Sequence, residues 1–144
     1  MTPPRPVLRG FWFLHRVVRR VSGGRIGTSR PRDDRLGTLF LHTIGRKSGQ
    51  PRVNALYYLM EGPAFVVVAS NAGDDADPAW WLNLRDRQDA EVEIGGRRHH
   101  VRAQVATPDE AARIWPRIVA ANRDYAAYRA KARRPIPVVI LEPR

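Results

Sequence analysis

The sequence predicts an α+β domain in which short antiparallel strands form a barrel and helices occupy its edges. Three observations predict it. About six short segments carry alternating or continuous apolar patterning. Turn signals punctuate the intervals between them. Helical patterning is confined to a few stretches among these strands. With 144 residues, the chain is long enough for one domain around a hydrophobic core.

The first segment, Pro6 to Val21, reads as a basic aromatic helix. Phe11, Trp12, Phe13, Leu14, Val17, Val18 and Val21 fall mostly on one side, with Arg9, Arg16, Arg19 and Arg20 largely elsewhere. Helices of this kind lie on an anionic membrane surface or pack on their own domain or a partner chain, and the sequence leaves these open. The uninterrupted apolar stretch of a signal peptide is missing, as is a run of the roughly 20 apolar residues that a membrane-spanning helix needs. Ser22 to Asp34 follows as an irregular Gly-, Ser-, Arg- and Pro-rich linker, so residues 1–35 separate from a barrel domain at 36–144.

Strand patterning begins near Leu36. Leu39, Leu41 and Thr43 alternate with Phe40, His42 and Ile44, and the turn Gly45 to Pro51 leads to a second strand at about Val53 to Met60. Glu61-Gly62-Pro63 turns the chain into Ala64 to Ser70, whose Phe65-Val66-Val67-Val68 run marks a central strand covered on both faces. A short helix with Asp77 as N-cap and Pro78 at its first position carries Trp80, Trp81, Leu82 and Leu84. A hairpin joins strands near Ala90–Ile94 and Arg98–Ala106 through Gly95-Gly96. Thr107-Pro108-Asp109-Glu110 is a capping box opening the last helical region, which Pro116 is expected to kink or divide. A strand over Ile136 to Leu141 completes the set.

The formal net charge is +11, and residues 1–35 contribute +7 of it through nine Arg against Asp33 and Asp34. Charge of this size draws nucleic acid, anionic membranes or phosphorylated ligands alike. Nucleic acid rests on charge alone here, with no recognition helix or exposed-aromatic RNA motif, and is not expected. The chain has no cysteine, which excludes disulfides and thiolate metal sites and suits the cytoplasm. A metal site is not expected from the histidines either. His99 and His100 adjoin on a strand and point to opposite faces, while His15 and His42 lack carboxylates at ligand spacing. Ser48 and Ser70 have no histidine–acid partnership in sequence, so a bound cofactor is expected to carry the chemistry.

Two clusters suggest where. Gly45-Arg46-Lys47-Ser48-Gly49 with Arg52 combines tight turning, three cations and a hydroxyl, a combination suited to phosphate. A solvated basic turn has the same composition, and the P-loop spacing is absent. Ala69-Ser70-Asn71-Ala72-Gly73, followed by Pro78 to Leu84, places small polar residues at the end of a buried strand. There Trp80 or Trp81 can stack on a planar ring and Asn83 can bond its edge.

Together these runs carry a resemblance. Thr43 to Arg52, Val67 to Ser70, Pro78 to Leu84 and Ile136 to Pro143 resemble, in order and spacing, the deazaflavin-dependent nitroreductase and quinone reductase family. The similarity covers roughly residues 36–144. It implies a split β-barrel of the flavin-nucleotide-binding type and the cofactor F-420 (8-hydroxy-5-deazaflavin), with FMN as the lesser alternative. It also implies hydride transfer to a quinone, nitro-aromatic or conjugated carbonyl acceptor, with non-catalytic cofactor storage on the same fold as the alternative. Arg46, Lys47, Ser48, Gly49 and Arg52 would hold the phosphate and anionic tail. Ser70, Asn71, Gly73, Trp80 and Asn83 would make the other cofactor contacts. Ser70, Tyr125 and Tyr128 would face the acceptor, plain packing being the other reading of the tyrosines. Split barrels commonly dimerise, so a homodimer is expected by analogy. The lack of cysteine and the basic helix at residues 6–21 suggest a cytoplasmic location extending to the inner face of the membrane.

The chain also departs from the family pattern. Ser70-Asn71-Ala72-Gly73 stands where Ser-Lys-Gly-Gly is commonest, Ala55 replaces a frequent proline, and Asn122 stands where some nitro-reducing members have tyrosine. These differences shift the expected acceptor from nitroimidazoles toward quinones.

Overall fold

Alternation of apolar residues along six strands closes a barrel in the computed structural model, which describes residues 27–144. The strands are β1 (Gly37–Ile44), β2 (Pro51–Glu61), β3 (Ala64–Val68), β4 (Asp89–Ile94), β5 (Arg97–Val105) and β6 (Val138–Pro143). They run antiparallel in the order β1-β2-β3-β6-β5-β4, and β4 returns to β1 to close the ring. Closure removes the unpaired edges that an open sheet would expose. The helix expected over residues 6–21, with its membrane or partner contact, lies outside the described residues.

The period of two sorts side chains into two cores. Leu39 and Leu41 from β1, Phe65 and Val67 from β3, and Val139 and Leu141 from β6 form the barrel interior. Their neighbours Ala64, Val66, Val138 and Ile140 point outward and are buried under helices. β3 is thus covered on both faces, as its continuous apolar run requires.

Helix α1 (Ala79–Asp86) lies against β1 and puts Trp80, Trp81 and Leu84 into the barrel core. It begins one residue later than the proline rule suggests, with Pro78 as N-cap. Asp77 does not cap it, because its carboxylate pairs with Arg134 at 2.9 Å. Helix α2 (Pro108–Ala121) opens with the expected capping box. Thr107 Oγ1 accepts the Glu110 N–H at 3.2 Å, and Glu110 Oε1 accepts the Thr107 N–H at 2.9 Å. The Thr107 N–H first, and the Thr107 side chain beside it, hold the Glu110 carboxyl below its ordinary range.

Pro116 does not divide this helix. The break falls instead between Ala121 and Asp124, where Asn122 Oδ1 accepts the Asp124 N–H at 3.0 Å and starts α3 (Asp124–Lys131). Arg113 and Arg117 of α2 both reach Glu61 at the end of β2, at 3.0 and 2.6 Å, tying the helix to the barrel. Among the described residues, no helix is long and apolar enough to cross a membrane.

Candidate functional site

The β1–β2 hairpin and α1 enclose a cleft of about 320 Å³. The hairpin is closed by Gly45 N–H to Gln50 O and Gly49 N–H to Gly45 O, both 2.8 Å. Gly49 takes φ +70°, which glycine adopts without strain. At Gly45 a Cβ would stand 2.7 Å from Ser48 Oγ, so a side chain there would displace the Ser48 hydroxyl from its place in the turn.

The cleft brings together Arg46, Lys47, Ser48, Arg52, Trp80 and Asn83, six of the residues expected to bind cofactor. Ser48 Oγ accepts the Gln50 N–H at 3.1 Å and an Arg52 Nη2–H at 3.3 Å, which aligns the cation with the hairpin. Asn83 is buried, its Oδ1 accepting the Arg46 N–H at 3.0 Å and its Nδ2 donating to Thr43 Oγ1 at 3.4 Å. Its amide therefore fixes the hairpin to α1. Gly49 sits at the hairpin tip outside the lining. Val53, Asn54 and Ala79 complete the wall; strand and helix patterning carries no signal for such wall positions.

A second group gathers where β3 ends. Ser70 is buried, and Asn71-Ala72-Gly73 forms a single 3-10 turn in which Asn71 and Ala72 take φ +46° and +55°. Asn71 Nδ2 donates to Ala76 O at 3.0 Å, so this side chain is engaged within its own loop. Gly73, at φ +79°, lies so close to α3 that a Cβ would meet the Tyr128 backbone at 3.0 Å. Tyr128 and Tyr125 pack edge to face with centroids 5.5 Å apart. Burial pushes the Tyr125 hydroxyl well up from its ordinary value, reinforced by Tyr128, Tyr57 and Asp124. Tyr57, on β2, is exposed and close enough to act electrostatically on Tyr125. The segment from Ser70 to Pro78 links the two groups directly.

Three cations and a serine hydroxyl beside Trp80, joined to a serine-bearing loop against two tyrosines, make a donor set suited to a phosphorylated planar cofactor. The residues from 12 to 143 match the model of the F420H(2)-dependent quinone reductase family. The chain belongs to that family. It is accordingly an F-420-dependent reductase, and F-420 is its cofactor. An F420H(2)-dependent quinone reductase of Mycobacterium tuberculosis is 38% identical over 134 residues, covering 91% of this chain and 89% of the relative.

Two solved structures show the split barrel. An F420-H2-dependent reductase superposes with a TM-score of 0.66 at 31% identity, over 73% of this chain and 93% of the other. A domain-swapped dimer superposes with a TM-score of 0.69 at 27% identity, over 93% and 99%.

The donor set fits the cofactor. Arg46, Lys47 and Arg52 with the Ser48 hydroxyl suit a phosphate followed by an anionic tail. Among the described residues no His, Asp and Glu cluster is placed to hold a metal ion.

Proposed function

We propose that this chain reduces quinones with F-420 bound across the two groups, its phosphate and tail in the hairpin cleft and its ring beside Ser70. The observation that carries this reading is the cleft itself, in which three cations and Ser48 converge beside Trp80. Bound F-420 supplies a hydride in a single two-electron step. The protein's own part is to orient and to exclude water. Arg46, Lys47 and Arg52 hold the anionic end, while Trp80 borders the cleft. Ser70 donates a hydrogen bond to the charge that develops on the acceptor, and Tyr125 and Tyr128 wall the acceptor side. The Tyr125 hydroxyl, protonated at neutral pH as any tyrosine is and pushed further from ionisation by burial, serves as a donor and not as a base.

Quinones come first among acceptors because the M. tuberculosis relative carries that name and because Asn122 serves the α2–α3 turn. Nitro-aromatic and conjugated carbonyl compounds are accepted more slowly in this reading. Self-association into a homodimer belongs to the same proposal, supported by the dimeric neighbour. Parallel titration with F-420 and FMN, followed by steady-state oxidation of reduced F-420 with menadione, tests it. Tight F-420 binding with many turnovers is expected; a preference for FMN, or no catalytic turnover, overturns it.

A further inference from the structure

Between α3 and β6, Arg134 turns its guanidinium back onto the loop that leaves β3. Nη2 donates to the carbonyl oxygens of Ala69 and Ser70, both at 3.1 Å, and Nε donates to Asp74 O at 3.1 Å. Nη1 lies 2.9 Å from Asp77 Oδ1 and 3.3 Å from Pro135 O. The side chain is only 13% exposed, so these bonds form largely out of water. One planar fork thus grips the loop at its beginning, middle and end, and its last contact sits just before α1.

This loop needs an external hold. Asn71 and Ala72 are consecutive left-handed residues other than glycine, a conformation that L residues adopt at a cost. Within it run Gly73 N–H to Ser70 O at 2.8 Å, Asp74 N–H to Asn71 O at 3.0 Å, Asp75 N–H to Asp74 Oδ1 at 2.8 Å and the Asn71 amide to Ala76 O. Besides Arg134, the Arg133 N–H reaches Asp75 Oδ1 at 3.4 Å. The contacts of Arg134 also set direction. In a trans peptide the carbonyl and the following N–H point opposite ways, and no peptide here is cis. Drawing the Ala69 and Ser70 carbonyls toward Arg134 therefore turns the N–H groups of Ser70 and Asn71 to the other side of the loop.

We propose that Arg134 is a positioning residue for hydride transfer, holding the strained 69–77 loop so that the Ser70 hydroxyl and these two N–H groups meet the reactants. The inference rests on the reading of the site given above. Lysine cannot replace Arg134, because an ammonium is a point charge and cannot span oxygens spread along the loop. The hairpin cleft does not include Arg134, so the anionic end of the cofactor keeps its cradle when Arg134 is changed.

Arg134→Ala and Arg134→Lys separate the possibilities, each compared with the full wild-type chain. Both are expected to lower kcat with menadione by about 10- to 100-fold while leaving F-420 affinity within about threefold. Hydrogen exchange at the Gly73 and Asp74 amides should accelerate in both. Millimolar ethylguanidinium should slow that exchange and restore part of the rate in Arg134→Ala, whereas ethylammonium should not. Wild-type exchange or wild-type kcat in either folded variant overturns the role of Arg134. So does loss of F-420 affinity and rate together without guanidinium rescue. If Arg134→Ala fails to fold, the Lys variant decides by the same readouts. A wild-type chain inert toward F-420 overturns the site reading instead, and the exchange data still score the loop hold.

Discussion

The side-chain oxygen of Asn83 accepts the backbone N–H of Arg46 at 3.0 Å, joining the middle of α1 to the first residue of the cationic hairpin turn. Because Asn83 is buried, losing its amide leaves the Arg46 N–H and Thr43 hydroxyl without that partner. Asn83→Leu is expected to weaken F-420 binding by about 1–3 kcal/mol, roughly 5- to 150-fold. A fluorescence titration of oxidised F-420 measures it, and unchanged affinity would mean that the hairpin holds its shape without α1.

Arg46→Ala and Lys47→Ala should act on the anionic end of the cofactor alone. Affinity for F-420 is expected to fall by about tenfold or more, and to respond less steeply to salt than in the wild type. Binding of the deazaflavin lacking phosphate and tail should stay unchanged. Equal losses for both ligands would place the cations against the ring.

Ser70→Ala should separate turnover from binding. A hydrogen-bond donor aimed at developing charge contributes mainly to the rate, so kcat is expected to drop on the order of 10- to 100-fold with F-420 affinity nearly constant. Stopped-flow oxidation of the bound reduced cofactor reads the step directly.

Much of this arrangement was written in the strand periodicity and in short motifs. The continuous run from Phe65 to Val68 marked the doubly covered strand, and the Thr107–Glu110 pattern marked the start of α2. Both are local signals. The Asp77 cap failed because a distant arginine competes for the same carboxylate. Pro116 lies inside a helix that runs on to Ala121, and the break comes at the α2–α3 junction, where Asn122 accepts the Asp124 N–H. At the site, the hairpin cations were readable because glycines and charges crowd one turn. Arg134 was not, since its partners lie some sixty residues away and nothing in its neighbourhood announces them. Tyr57 was not readable either, since exposure along β2 does not alternate strictly and Tyr58 beside it is buried.

The tyrosines give a pH signature. Burial raises the pKa of Tyr125 and of Tyr58, the latter partly offset by Arg30, above the ordinary value of 10.0. Above pH 10 the unfolded chain therefore holds fewer protons on these groups than the folded one, and stability falls as pH rises. In an absorbance titration Tyr58 and Tyr125 should ionise late, or only as the chain unfolds. Tyr125→Phe should reduce the alkaline loss of stability. An unchanged alkaline profile would show that Tyr125 is less buried in solution.

In the function proposed above, the hairpin cleft and the Ser70 loop together make a catalyst and not a reservoir. Reduced F-420 in large excess over the purified chain, with menadione as acceptor, tests it most directly. Oxidation of many equivalents per chain, lost in step with cofactor binding in Arg46→Ala, is the expected result. A single stoichiometric oxidation that then stops would contradict it.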